Sequence, residues 1–285
     1  MPPQPVPFPA SVLSALRELS VLPYENLSKI AAHASGGNME ATLGLAEDWL
    51  ERNRETGAGG TCFSLTWWLA GRLRAAGIGY ALLMGDKGRS QNIHCALRMD
   101  WDGRAYLLDP GYLIFEPLPL PAAGLSAEAW IPPNAVRLED RPEAGAWRLW
   151  TGPREAGHRR NGDDRRGHGD GPRQAGDDRR GHGDLKFRFD FRKGAVGEAE
   201  FFAHWEASYR LPMMRYPVLN RVRDGAQYYL QKRSLLVRTA EESVMRKLGP
   251  EELFQALRTT FGIPDGLARE AMDVVLAADP EFFRK

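Results

Sequence analysis

The sequence predicts an α+β fold on three observations. Apolar residues recur at helical spacing through the first third, alternate through the middle, and follow both periods in the last third. At 285 residues the chain is longer than one small core usually organises, so at least two subdomains are expected. We place the divisions at 1–78 (helical), 79–197 (β-rich) and 198–285 (small and mixed).

Residues 11–19 carry Val12, Leu13, Leu16 and Leu19, with Ser11 placed to cap a helix. After the turn at Pro23, 27–35 predicts a short helix ending at Gly36-Gly37, and 41–53 a further one. Beyond the loop Gly57-Ala58-Gly59-Gly60, a helix runs from Cys62 to Ala76, with Thr61 as its cap and Gly77 as its stop. The period then becomes two, which predicts strands at 80–84, 93–99 and 104–108, with shorter ones at 135–138, 147–150 and 185–191. Asp102-Gly103 tolerates the positive φ of a type I′ hairpin between the second and third of these. In the last third, 201–208, 243–248, 251–261 and 267–276 predict helices, and 218–222 and 226–237 strands.

GDDRRGHGD at 162–170 recurs letter for letter at 176–184, and 156–184 has almost no apolar residue. Such a segment buries too little surface to offset its ordering entropy, so a disordered insertion is expected. Its two GHGD units offer His and Asp as metal ligands, but at this composition a solvated, charge-balanced loop is the simpler reading.

The formal net charge is +1, from 38 basic and 37 acidic residues, which does not suggest a binder of nucleic-acid phosphates. Two cysteines, Cys62 and Cys95, are too few for a disulfide scaffold or a Cys-rich zinc site. The N-terminal segment lacks a basic region with an apolar core, and no stretch is apolar enough to span a membrane. A cytoplasmic protein with no membrane, metal or bound cofactor is expected.

Cys62 falls in the first turn of its helix, where unpaired N–H groups and the macrodipole stabilise an anion. That position lowers a thiol pKa and favours a nucleophile; a small buried hydrophobe is the other reading. Alternation puts His94, Ala96 and Arg98 on one strand face, and Ile93, Cys95, Leu97 and Met99 on the other. With a two-residue loop at Asp102-Gly103, Trp101 pairs with Arg104, and Asp109 lies opposite Ala96 and diagonal to His94. A three-residue loop would put His94 and Asp109 on opposite faces. An Asx turn with Pro110-Gly111 is the alternative role for Asp109. A helix-capping Cys, a strand His and an Asp on the next strand form the nucleophile, base and orienter of thiol catalysis. Trp67, Trp68, Leu69 and Leu73 read as core; Glu25 and Asn26 read as braces near the catalytic helix, and His33 and His204 as ordinary helix residues.

These residues resemble the arylamine N-acetyltransferase family within the transglutaminase-like Cys-His-Asp group. Pro23-Tyr24-Glu25-Asn26-Leu27 is similar to its P-F/Y-E-N-L block, and Gly59-Gly60-Thr61-Cys62-Phe63 to its R-G-G-x-C-F-E block. His94 and Leu107-Leu108-Asp109-Pro110-Gly111-Tyr112 are similar to its H and D-V-G-F segments, with weaker likeness at 251–263. The resemblance implies a helical N-terminal subdomain, a central antiparallel β-barrel and a C-terminal α/β subdomain. It also implies ping-pong transfer of an acetyl or other acyl group from a CoA thioester through Cys62 to a small amine. Catalysis would rest on Cys62, His94 and Asp109. Gly60, Thr61 and Phe63 would support the loop, the Phe63 N–H being an oxyanion donor, and Tyr24, Tyr112 and Phe115 would line the pocket. Ala58, Ser64, Thr66 and Pro110 depart from the family's Arg, Glu, Asn and Val. The departures keep three alternatives open: an acyl-carrier-protein thioester as donor, a transglutaminase-like enzyme or cysteine hydrolase, and an idle binding protein.

Overall fold

The computed structural model describes residues 6–37, 58–153 and 185–284. The helix expected at 41–53 and the repeat at 162–184 lie outside them. Helix α1 (Ala10–Ser20) starts after Pro9 and has no side-chain cap, so the expected capping by Ser11 is corrected: the chain turns helical one residue earlier. Strand β1 (Tyr24–Glu25) and helix α2 (Leu27–Ala34) follow.

Helix α3 (Cys62–Ala75) carries the thiol at its first residue. Thr61 occupies the N-cap position with extended backbone, but its side chain makes no capping bond, which corrects the expected cap. Packing fixes this helix instead. Phe63, Leu69 and Leu73 are fully buried with Leu16 and Leu19 of α1. At about 1.5–3 kcal/mol each, those side chains outweigh a cap of about 1 kcal/mol. Trp68 joins the core, with Trp67 packed against it.

An eight-stranded antiparallel sheet follows: β2 (Tyr80–Lys87), β3 (Ser90–Trp101), β4 (Arg104–Asp109), β5 (Ile114–Pro119), β6 (Ser126–Ile131), β7 (Asn134–Arg141), β8 (Ala146–Gly152) and β9 (Lys186–Arg192). Its order is β5-β4-β3-β2-β9-β8-β7-β6, and the edge strands β5 and β6 approach each other to make a nearly closed barrel. Pro117 and Pro119 lie in β5, an edge strand where a missing N–H is tolerated. The β3–β4 hairpin turns through Asp102 (φ 50°) and Gly103 (φ 69°), and Trp101 pairs with Arg104, as the two-residue loop requires.

Helix α4 (Glu198–Ala207) packs Phe201 and Trp205 against Phe63. A second antiparallel sheet joins β1 to β10 (Val218–Arg223), β11 (Ala226–Gln231), β12 (Ser234–Arg238) and β13 (Ser243–Lys247), in the order β1-β10-β11-β12-β13. The single strand expected at 226–237 is two, folded back at Lys232 (φ 56°) without a Gly or Asn signal. The helix expected at 243–248 is β13, an exposed edge strand paired along its length with β12; pairing overrides local pattern there. Helices α5 (Pro250–Thr259) and α6 (Asp265–Ala278) cover this sheet, and Leu27 and Ile30 of α2 share their core. Among the described residues, no helix is long and apolar enough to cross a membrane.

Candidate active site

The start of α3, the end of β4 and the middle of β3 meet at one point. His94 Nε2 lies 2.9 Å from both carboxylate oxygens of Asp109. With Nε2 so occupied, Nδ1 is left for the hydrogen bond that His94 makes with Cys62. Asp109 also accepts the Tyr112 N–H at 2.9 Å, so the carboxylate closes a turn over Pro110-Gly111 and orients the imidazole together. The two roles weighed for it are compatible.

Glycines make this convergence possible. A methyl on Gly111 would stand 2.6 Å from Cys62 Cβ and 3.0 Å from His94 Cε1. One on Gly59 would fall 1.7 Å from the Pro23 carbonyl oxygen. That close approach lets β1 bridge to the loop, where Glu25 N–H donates to Gly60 O at 3.0 Å. Glu25 itself is fully buried and its carboxylate accepts from the Ser28 and Gly59 N–H groups. Asn26 donates to the carbonyls of Met213 and Tyr216 and accepts from the Val218 N–H, tying α2 to the start of β10. Glu25 thus braces the loop before α3, and Asn26 braces the second sheet. Ser64 bends back to the Thr61 carbonyl at 3.0 Å.

Three neighbours escaped the sequence reading. Cys95 leaves β3 on the face opposite His94, as alternation predicts, yet its thiol is a hydrogen-bond partner of Cys62. That contact does most to hold the Cys62 thiol well below its ordinary pKa; burial opposes it, and His94 and Lys29 reinforce it. Lys29 is buried on α2, donates to Ser208 and lies 4.2 Å from the Tyr209 ring centroid. Burial brings its pKa down to about 8. Phe189 of β9 stacks on the His94 ring at 4.2 Å and 11°. Its place in the Phe187, Phe189, Phe191 alternation was the available signal.

Burial alone would lower the His94 pKa, but Asp109 and Cys62 overcome it and push it up to about 10. Burial pushes the Asp109 carboxyl up, opposed by His94 and the Tyr112 N–H. The thiolate–imidazolium pair therefore spans neutral pH. Alkylation of Cys62 by iodoacetamide is expected to be near its plateau at neutral pH, without the climb around pH 8.5 of a free thiol. Burial pushes Cys95 up, so it should stay unmodified. Intact mass against pH checks both, and a sigmoidal rise centred near 8.5 would refute the pairing.

Tyr112 stands at right angles to His94 at 6.2 Å and to Phe189 at 5.6 Å, forming an aromatic wall. Tyr24 packs against the core that holds Cys62, and its pKa is raised by burial and then by Cys62 and Tyr229. Phe115 packs against the helical core, because β5 turns Ile114 and Leu118 into the barrel and Phe115 outward.

No family model and no curated protein matches the sequence. Solved structures do match the fold. An arylamine N-acetyltransferase from Nocardia farcinica superposes with a TM-score of 0.69 at 19% identity, covering 95% of this chain and 87% of that one. The Salmonella typhimurium arylamine N-acetyltransferase gives 0.67 at 19%, covering 96% and 94%. The Mycobacterium marinum enzyme, solved in complex with CoA, gives 0.67 at 16%, covering 97% and 95%. The chain thus has the fold of arylamine N-acetyltransferases, with a sequence far diverged from theirs.

Proposed function

We propose that the protein is an acyltransferase that carries an acyl group, acetyl in the simplest case, from a CoA thioester to an amine through a thioester on Cys62. The observation that carries this reading is the buried Cys62–His94–Asp109 chain at the first turn of α3. The fold shared with a CoA-complexed arylamine N-acetyltransferase supports CoA as the donor's carrier.

In this reading His94 takes the Cys62 proton, and the thiolate adds to the thioester carbonyl. Unpaired N–H groups of the first helical turn, Phe63 among them, face the developing oxyanion. The C–S bond to CoA breaks, and the leaving thiolate takes the proton from His94. An amine then adds to acyl-Cys62 and gives its proton to His94. The amide leaves, and the Cys62 thiolate is restored beside the imidazolium. Asp109 holds the imidazole and balances its charge throughout.

Incubation with acetyl-CoA and longer acyl-CoAs, read by intact mass, tests the proposal. A single acyl adduct that Cys62→Ala lacks, and that an arylamine removes, is the expected result. No adduct from any acyl-CoA, with Cys62 still alkylated rapidly, would overturn the CoA donor and favour a carrier-bound thioester or a peptide amide.

A further inference from the structure

Strand β9 carries one residue more than its partner. Leu149 pairs with Phe189 and the next residue, Trp150, with Phe187, so Arg188 has no partner on β8. A bulge of this kind re-aims a side chain. Here Arg188 Nε donates to Thr151 Oγ1 at 2.7 Å, and its guanidinium lies over the Tyr112 ring at 5.6 Å. On the second sheet, buried Arg238 donates to Asn134 Oδ1 at 2.9 Å and Ser243 Oγ at 3.1 Å, and lies near enough to Arg188 and Tyr112 for both to act on its charge. Lys87, at the end of β2, sits 5.8 Å from the centroid of Phe189, the ring stacked on His94.

Three cations thus gather around the aromatic wall of the thiol site, and none has a carboxylate partner among the described residues. On the same barrel the chain does pair its cations: Arg148 with Asp190, Arg192 with Asp86 and Lys193 with Asp140. The three also feel one another. After burial, Arg188 is what lowers the pKa of Lys87 and enters second for Arg238. Arg238 is buried and Arg188 half-buried, a costly placement for like charges that lack a described counterion, whereas Lys87 is exposed; the Arg188 Nε and Nη2 edge rests on Thr151, so its remaining guanidinium donors are the ones open to a carboxylate.

We propose that Arg188, Arg238 and Lys87 form an anion subsite beside His94, which selects a short reactant bearing a carboxylate. The subsite stands one aromatic ring from the imidazole, so it suits the small acceptor or the acyl chain; the phosphates of CoA lie a pantetheine arm farther from the thioester. The inference rests on the acyl-transfer reading for its reaction, but its binding step can be tested alone.

Two matched pairs test it in turnover: 4-aminobenzoate against 4-methylaniline with acetyl-CoA, and succinyl-CoA against butyryl-CoA with a neutral amine. In one pair the carboxylate member is expected to have at least tenfold higher kcat/KM, and that pair names the reactant that carries the charge. Arg188→Gln should cut this ratio at least tenfold, and Lys87→Gln, on an exposed hairpin end, should cut it less in the same direction. Absence of preference in both pairs, or a ratio that survives Arg188→Gln, would overturn the proposal. Protection of Cys62 from iodoacetamide by benzoate but not by benzamide, lost in Arg188→Gln, reads binding without turnover. If that protection holds while no acyl adduct forms, the subsite stands and the acyl-CoA reading falls. If adducts form but benzoate protects no better than benzamide and neither matched pair shows a preference, the reading stands and the subsite falls.

Discussion

Replacing Asp109 by asparagine is expected to lower turnover by about 10⁴-fold with little change in fold, the scale seen when the orienting carboxylate of a triad is neutralised. Asparagine can still accept the Tyr112 N–H and so keep the turn at Pro110-Gly111. Its amide, however, offers an N–H donor to His94 Nε2. The ring proton then sits on Nδ1, the nitrogen that must take the Cys62 proton. The charge matters as much. Burial pushes the His94 pKa down, and Asp109 is the first influence opposing it, so without the carboxylate the pKa falls from about 10. The imidazolium that stabilises the thiolate is lost, and Cys62 moves back toward its ordinary range. Single-turnover acylation and alkylation of the variant would both show it: slow at neutral pH and rising with pH, where the parent is flat. A variant that acylates within about tenfold of the parent would remove Asp109 from the machinery.

The reach of the sequence is clearest at the β3–β4 hairpin. Asp102-Gly103 specifies a two-residue turn, the turn specifies the register, and the register brings Asp109 to His94. Cys62 was legible for a similarly local reason, a glycine pair followed by a helix start. What lay beyond reach was non-local. Alternation states which face Cys95 leaves from but not that α3 lies over that face, so its bond to Cys62 was hidden. Arg188 depends on a register shift between β8 and β9, which no residue type announces. Residues 243–247 form a strand because β12 offers an edge, information held elsewhere in the chain. Nothing within its own short helix marks Lys29 as buried; Ser208 and Tyr209, from nearly 180 positions on, close over it.

Gly111→Ala should cost at least about 100-fold in the acylation step, an effect of distance alone, since no reacting group is removed. Gly111 has no positive φ, so alanine meets no backbone penalty there. The difficulty is space: the new methyl would stand 2.6 Å from Cys62 Cβ, 2.8 Å from Cys62 Cα and 3.0 Å from His94 Cε1. Those are a helix backbone and a ring locked by Asp109 and Phe189, not the free end of a flexible side chain. Relief therefore means moving α3 away from β3, which lengthens the path from thiol to imidazole and raises the Cys62 pKa. Gly71→Ala, in the same helix with open space around it, is the control and should be neutral or stabilising by about 0.5–1 kcal/mol. The two variants together separate helix stability from site geometry. Full acylation by Gly111→Ala with a parental melting temperature would mean that the thiol and imidazole do not need this contact, and the triad reading would fail with it.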